Sequence, residues 1–453
     1  MLHVKLPPSY PAERHYICGV VLGDFLGLDY RIEVMDRQDV AISRADGREL
    51  RLADLLFQTP GERWLTPGSL PARPLERWPL PGTVCQPTLP VLYGRQYYEV
   101  GPDQIALGLD IFGSIFFLLT RYEEAVKTER DSRDRFPAAA SLAVQEAFLD
   151  RPLADEYVEV LWRALLTLWP NLTRKLRESR VSLSHDVLNP NSTLGRNYAQ
   201  VASTTAGDLV RRGSPLLAAR RLTGSVLTWR GKPEADLCNT FDLIMDTTDR
   251  HGLQSTFHFI TDRTAGSVDG TYSIAHPWIR ALLRRIHQRG HAVGLQASYR
   301  TYKDPAQIRR EFERLLHVAG QEGIEQTAWG GRQHSLRWDA ATTWAAWDAA
   351  GLDHDSSLAF PDRPGFRSGT CHEHPVFDLR RRAPLRLRER PLIATEAALL
   401  DREREEADEA VQQIRRLRER CRLVGGHFTL RWQNDRLADR RERQLFQQLI
   451  AGL

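Results

Sequence analysis

Residues 181–190, VSLSHDVLNP, decide how this chain is read. The run is a short apolar strand that delivers His185 and Asp186 to its C-terminal edge, the edge at which β/α proteins collect their chemistry. A metal site built on a strand-end D-x-D needs a second carboxylate two residues on. Leu188 stands there instead, and an apolar side chain cannot coordinate a hard or borderline cation.

The bulk composition is that of a folded protein. Over 453 residues, 42% are hydrophobic and 26% charged, enough for two or three domains with a sizeable core. The 62 Lys and Arg against 58 Asp and Glu leave a net charge of only +4, which argues against nucleic acid as a partner. Five cysteines, widely spaced and without a C-x-x-C pair, suit a reducing compartment. The stretch MLHVKLPPSYPAERHY has no basic segment leading into an apolar run, so the expected location is cytoplasmic. The longest apolar run, residues 105–120, carries Asp110 and is shorter than a bilayer span; it reads as a buried helix, with membrane insertion the lesser alternative and no transmembrane segment expected.

Two compositional blocks follow one another. Residues 1–175 read as a smaller α+β domain, with strand-like runs at 16–23, 30–34 and 40–43, a Pro-rich stretch at 59–90, and helical patterns at 105–124 and 154–168. Residues 176–453 alternate strands with amphipathic helices, the signature of a parallel β/α layer or barrel. Expected strands cover 181–187, 254–261, 291–296, 326–331, 354–359 and 426–432; expected helices cover 278–289, 308–319 and 402–420, the last with a solvated, ion-paired face. An insertion at 189–234 is rich in arginine (Arg211, Arg212, Arg220, Arg221, Arg230) and reads either as a solvated helical excursion or as a basic rim beside an anionic or lipid-linked sugar.

Taken together, SHDV (184–187), HAVGLQASYRTY (291–302), GGRQHSLRWD (330–339), DSSLAFPDRPGFRSGTC (355–371) and GGHFTLRWQN (425–434) resemble a subgroup of NodB-like polysaccharide deacetylases in order and spacing. The N-terminal block resembles the uncharacterised domain that precedes the deacetylase domain in that subgroup. The resemblance implies a distorted (β/α) barrel with fewer than eight strands. It also implies a divalent metal held by an Asp and His side chains, a second Asp as base and a His as acid. Asp186 falls at the place of the base and Arg332 at that of the arginine that orients it. Leu188 replaces the metal Asp, Gln296 a ligand His, and Gln433 the acid His. Arg300 takes the second place of an H-x-x-x-H pattern. A neutral amide is a poor ligand and no general acid near neutral pH.

Other residues carry alternatives. Tyr299, Trp338 and Trp432, with Gln296, are candidates to line a saccharide cleft, or else to pack the core. Arg332 is a candidate to pair with Asp186 or Asp355. His185, His334, His372, His374 and His427 are the candidates for a relocated metal site, against ordinary surface or core histidines, and Cys371 reads as structural. The leading expectation is a deacetylase-like protein with a degenerate metal site and no cofactor. It would bind a saccharide, a sugar nucleotide or a protein partner in surface-polysaccharide assembly without hydrolysis. The alternatives are an active carbohydrate N- or O-deacetylase with relocated ligands, which needs a divalent metal such as zinc, and a purely structural scaffold.

Overall fold

In a computed structural model, residues 1–196, 198–210, 215–400 and 407–453 are described. The N-terminal unit is a mixed six-stranded sheet. Its strands are β1 (Leu2–Leu6), β2 (Tyr30–Val34), β3 (Asp39–Ser43), β4 (Glu49–Ala53), β7 (Gly94–Val100) and β8 (Gln104–Leu109), and they lie in the order β2-β1-β3-β4-β8-β7. A two-stranded ribbon, β5 (Arg77–Trp78) with β6 (Leu89–Pro90), is all the regular pairing that the Pro-rich stretch supports. The apolar run at 105–120 is not one helix. It is strand β8 followed by the helix Ile111–Leu119, and Asp110 makes the break: its carboxylate accepts from the Gly113 amide at 2.7 Å and from the Leu55 and Leu56 amides at 2.8 Å each. No helix among the described residues is long and apolar enough to cross a membrane.

Residues 16–23, expected as a strand, are instead the end of the helix Pro11–Cys18 and a wider π-type turn over Gly19–Phe25. Tyr16, Ile17, Val20, Val21 and Leu22 are all buried. Tyr16 reaches across to the second unit, donating to the Pro375 carbonyl at 2.8 Å. A segment buried all round loses the periodicity that separates helix from strand.

The second sheet has nine strands: β9 (Arg180–Val187), β10 (Ser255–Phe259), β11 (Ala292–Ala297), β12 (Gly330–Gln333), β13 (His354–Asp355), β14 (His374–Asp378), β15 (Ala383–Glu389), β16 (Ala394–Thr395) and β17 (His427–Arg431). They lie in the order β14-β15-β13-β12-β11-β10-β9-β17-β16, all parallel except the edge strand β14. The eight parallel strands correct the expectation of fewer than eight. The sheet curls strongly. Arg332 on β12 donates to Ser184 Oγ on β9 at 2.9 Å, although three inter-strand steps of about 4.8 Å would separate them in a flat sheet. No backbone pairing joins the two edge strands among the described residues.

Amphipathic helices coat the outside. In Pro277–Gln288 the buried Ile279, Leu282, Leu283 and Ile286 recur at helical spacing, and Pro305–Gln321 and Ala407–Leu423 pack likewise. Residues 402–406 of the expected 402–420 helix lie outside the described residues. The strand expected at 326–331 begins only at Gly330, because the Gln326 side chain bonds the Val293 amide and carbonyl at 2.7 and 2.8 Å and takes the place of backbone pairing. The strand expected at 354–359 stops after Asp355, whose carboxylate captures the Ser357 amide and hydroxyl and turns the chain. Strands β14, β15 and β16 lie where no strand was expected from sequence.

Candidate functional site

Inter-strand register sets the inner wall of the barrel. Asp186, His258, Gly294, Gly330 and His354 stand at one level across β9 to β13. The two glycines are required by close approach: a Cβ at Gly294 would lie 2.6 Å from His258 Cδ2, and one at Gly330 2.3 Å from the His354 ring. The imidazoles thus fill space that side chains on β11 and β12 would occupy.

Asp186 is enclosed. Its Oδ1 accepts from Arg332 Nη1 at 2.8 Å and faces His258 Nδ1 at 3.1 Å; its Oδ2 accepts from Arg431 Nη1 at 3.2 Å. Arg431 also donates to Glu396 at 2.9 and 3.2 Å, and Arg332 to the Ser356 carbonyl and hydroxyl. Asp186, Arg332 and Glu396 are at most 1% exposed. Burial by itself raises the Asp186 carboxyl, but Arg332, the His258 contact and Arg431 outweigh it and hold the group well below the usual carboxylate range. A carboxylate so held is a feeble base. The expected pairing of Arg332 is to Asp186, not to Asp355.

Two cavities flank this cluster. An inner chamber of about 430 Å³ is lined by polar residues that include Ser184, Thr256, His258, His354, His427 and Thr429. Burial holds His258, His354 and His427 below the ordinary histidine pKa and so keeps them neutral. At the C-terminal edge of the strands a cleft of about 460 Å³ is lined by Gln296, Gln433, His334, Arg431, and by Arg133 and Arg135 of the N-terminal unit. Arg431 therefore forms part of the cleft floor, with Asp186 behind it. Gln296 is 1% exposed and its Oε1 accepts no hydrogen bond, an acceptor ready for a hydroxyl or amide N–H. His334 is oriented by Asp269, 2.9 Å from Nδ1, and Asp269 in turn accepts from the Thr264, Ala265 and Tyr299 amides.

The remaining sequence candidates scatter. Trp338 and Trp432 are core residues, packed edge-on against Trp344 and Phe446, and line no cleft. Tyr299 is half-buried beneath the Arg337 guanidinium, 4.1 Å from its ring centre, and packs edge-on against His334 of the cleft wall, ring centres 5.8 Å apart. Arg300 is exposed on its turn. Of the histidines, His185 points into the core, with Nδ1 2.7 Å from the Trp432 carbonyl and Nε2 3.1 Å from Ser255 Oγ, while His374 Nδ1 bonds the His372 carbonyl. Among the described residues only His372 belongs to a group of three ligand types: its ring, Cys371 Sγ and Asp155 lie within 4.8 Å of one another. Asp155 there already accepts from Thr370 Oγ1 at 2.7 Å and the Cys371 amide at 3.0 Å, a buried hook between the two units. Of the arginines in the insertion, Arg220 and Arg230 are exposed and Arg221 is buried; Arg211 and Arg212 lie outside the described residues.

The residues at the places of a deacetylase metal site do not fit a divalent cation. Leu188 and Gln296 offer no anionic ligand, and an ion approaching Asp186 would have to displace two guanidinium groups. Sequence reasoning missed Arg431, Glu396, His258 and the Asp269–His334 pair.

Residues 2–170 match the family of unknown function DUF7033. The chain has no match among curated proteins. Among solved structures, a candidate polysaccharide deacetylase from Mycobacterium smegmatis is 15% identical, covering 63% of this chain and 85% of its own, with a TM-score of 0.36. A mutant CE4 family pseudoenzyme with restored enzymatic activity is 9% identical, covering 61% and 62%, with a TM-score of 0.31. PuuE allantoinase is 13% identical, covering 60% and 84%, with a TM-score of 0.35. Superpositions this loose transfer neither a residue nor an activity.

One acid-side prediction arises from His185. Burial holds its pKa down to about 3. As pH falls below the ordinary histidine value of about 6.5, the unfolded chain binds a proton here that the folded chain refuses, so stability declines with pH. In His185→Gln, the difference in unfolding free energy between about pH 7 and about pH 5 should shrink by about 2 kcal/mol, measured by urea titration at each pH. An unchanged difference would mean that the ring titrates normally in the folded protein.

Proposed function

We propose that this chain is a polysaccharide deacetylase-like protein that binds a saccharide or sugar nucleotide without hydrolysing it, in the cytoplasm, within surface-polysaccharide assembly. The observation that supports the reading is the closed cluster Asp186–Arg332–Arg431–Glu396, in which guanidinium groups engage both oxygens of the Asp186 carboxylate and so oppose its use as a base or as a metal ligand. Above it the cleft presents the amides Gln296 and Gln433, the His334 ring and the Arg133 guanidinium, groups suited to holding hydroxyl, acetamido or acidic substituents. Five free cysteines accord with a reducing compartment.

In calorimetry the purified chain should bind either an N-acetylated oligosaccharide or UDP-N-acetylglucosamine and release no acetate from it. Gln296→Leu should weaken that binding about tenfold, the size of one buried hydrogen bond. Binding of neither probe would favour a structural scaffold. One observation favours a second reading, residual hydrolysis: the Asp269–His334 pair sets an oriented imidazole in the cleft wall. Acetate release that vanishes in His334→Ala would establish that reading in place of the first.

A further inference from the structure

The insertion after β9 folds as two packed helices, Tyr198–Val210 and Pro215–Trp229, and its outer surface is not that of an ordinary solvated excursion. Leu222, Val226 and Trp229 recur at i, i+4 and i+7 on one face of the second helix, exposed by 51%, 38% and 39%. Tyr198, 73% exposed, packs its ring edge-on against Trp229 at 4.3 Å and extends the stripe onto the first helix. In sequence the insertion is mainly positive: residues 195–232 carry seven Arg and Lys and a single acid, Asp208, and Arg230 and Lys232 are exposed just past Trp229, at the end of the stripe.

An apolar stripe that ends in Trp and Tyr, with exposed cations beside them, matches the layered chemistry of a lipid surface: acyl boundary, polar interface, anionic headgroups. We propose that the helix pair Tyr198–Val210 and Pro215–Trp229 docks the protein onto an anionic membrane surface. It would lie in the interface without spanning it. Arg196 and Arg221, at the base of the insertion, line a cavity that also contains Gln433, a residue of the saccharide cleft. On the reading given under Proposed function, docking would bring the cleft to a lipid-linked sugar, but docking itself does not depend on that reading.

The test is co-sedimentation of the full chain with vesicles of phosphatidylcholine alone and of phosphatidylcholine with about one third phosphatidylglycerol. Partition onto the anionic vesicles should exceed that onto neutral ones by about tenfold and should fall as salt rises. Leu222→Ser with Trp229→Ser should reduce it about tenfold, and so, separately, should Arg230→Gln with Lys232→Gln, each with an unchanged unfolding midpoint. Absence of partition, or partition that neither pair of substitutions alters, would overturn the proposal. So would self-association of the unaltered chain in sedimentation velocity, lost in the serine variant, without vesicle binding, because the stripe would then be an interface between copies of the chain. Loss of saccharide binding with vesicle binding retained would count against the cleft alone.

Discussion

Asp186→Ala should destabilise the protein by about 3–5 kcal/mol, among the largest effects of any single substitution, because it leaves Arg332 and Arg431 buried without their shared anion. Arg431 keeps Glu396, so the heavier loss falls on Arg332, whose other partners are neutral oxygens. Adding Arg332→Met to Asp186→Ala should restore much of the loss, since a buried ion pair exchanged for apolar groups is often close to neutral. Urea unfolding of the two variants reads both expectations. A cost below about 1 kcal/mol for Asp186→Ala would mean that water reaches the cluster and that the carboxylate is open to solvent chemistry after all.

The second large effect lies between the two units. Glu124, on the short helix Tyr122–Val126, accepts from Arg367 at 2.6 and 2.9 Å and from Arg121 at 2.8 Å, all three at most 2% exposed. Burial raises the Glu124 carboxyl, but Arg367 and Arg121 override it and hold the group below its ordinary value. Glu124→Ala should cost about 3–5 kcal/mol, because Arg121 retains Glu123 while Arg367 is left with the Ala359 carbonyl and the faces of Phe360 and Trp338, none of them an anion. Thermal unfolding should show a lowered midpoint, and limited proteolysis faster cleavage near residue 175. A variant as stable as the parent would show that the junction does not depend on this ion pair.

Much of the fold was legible, because strands such as 181–187 and helices such as 278–289 carry their own periodicity. The Asp186–Arg332 pair was also within reach of the sequence. Arg431 was missed although its signal was present: His427, Thr429 and Arg431 alternate along one strand, and only attention to Gln433 at the place of a catalytic histidine drew the eye past it. The same alternation puts Trp432 on the opposite face, which is why it packs against Phe446 and lines no sugar cleft. Glu396 could not be read, since it follows a two-residue strand that lacks any periodicity of its own. Nor could the contribution of Arg133 and Arg135 to the cleft, which depends on how one unit sits on the other.

The Asp186 cluster also bears on how this protein meets its surroundings. A metal site is a reversible partnership: its occupancy follows the supply of the ion, competition from other ligands, and whichever rival ion is abundant. Here the two positive charges facing Asp186 and Glu396 are part of the polypeptide, delivered in fixed ratio with every chain that is made. Chelators cannot strip them, scarcity of zinc cannot leave them vacant, and no wrong ion can take their place. The charge balance of this cluster is thereby set by translation and not by the supply of any trace element.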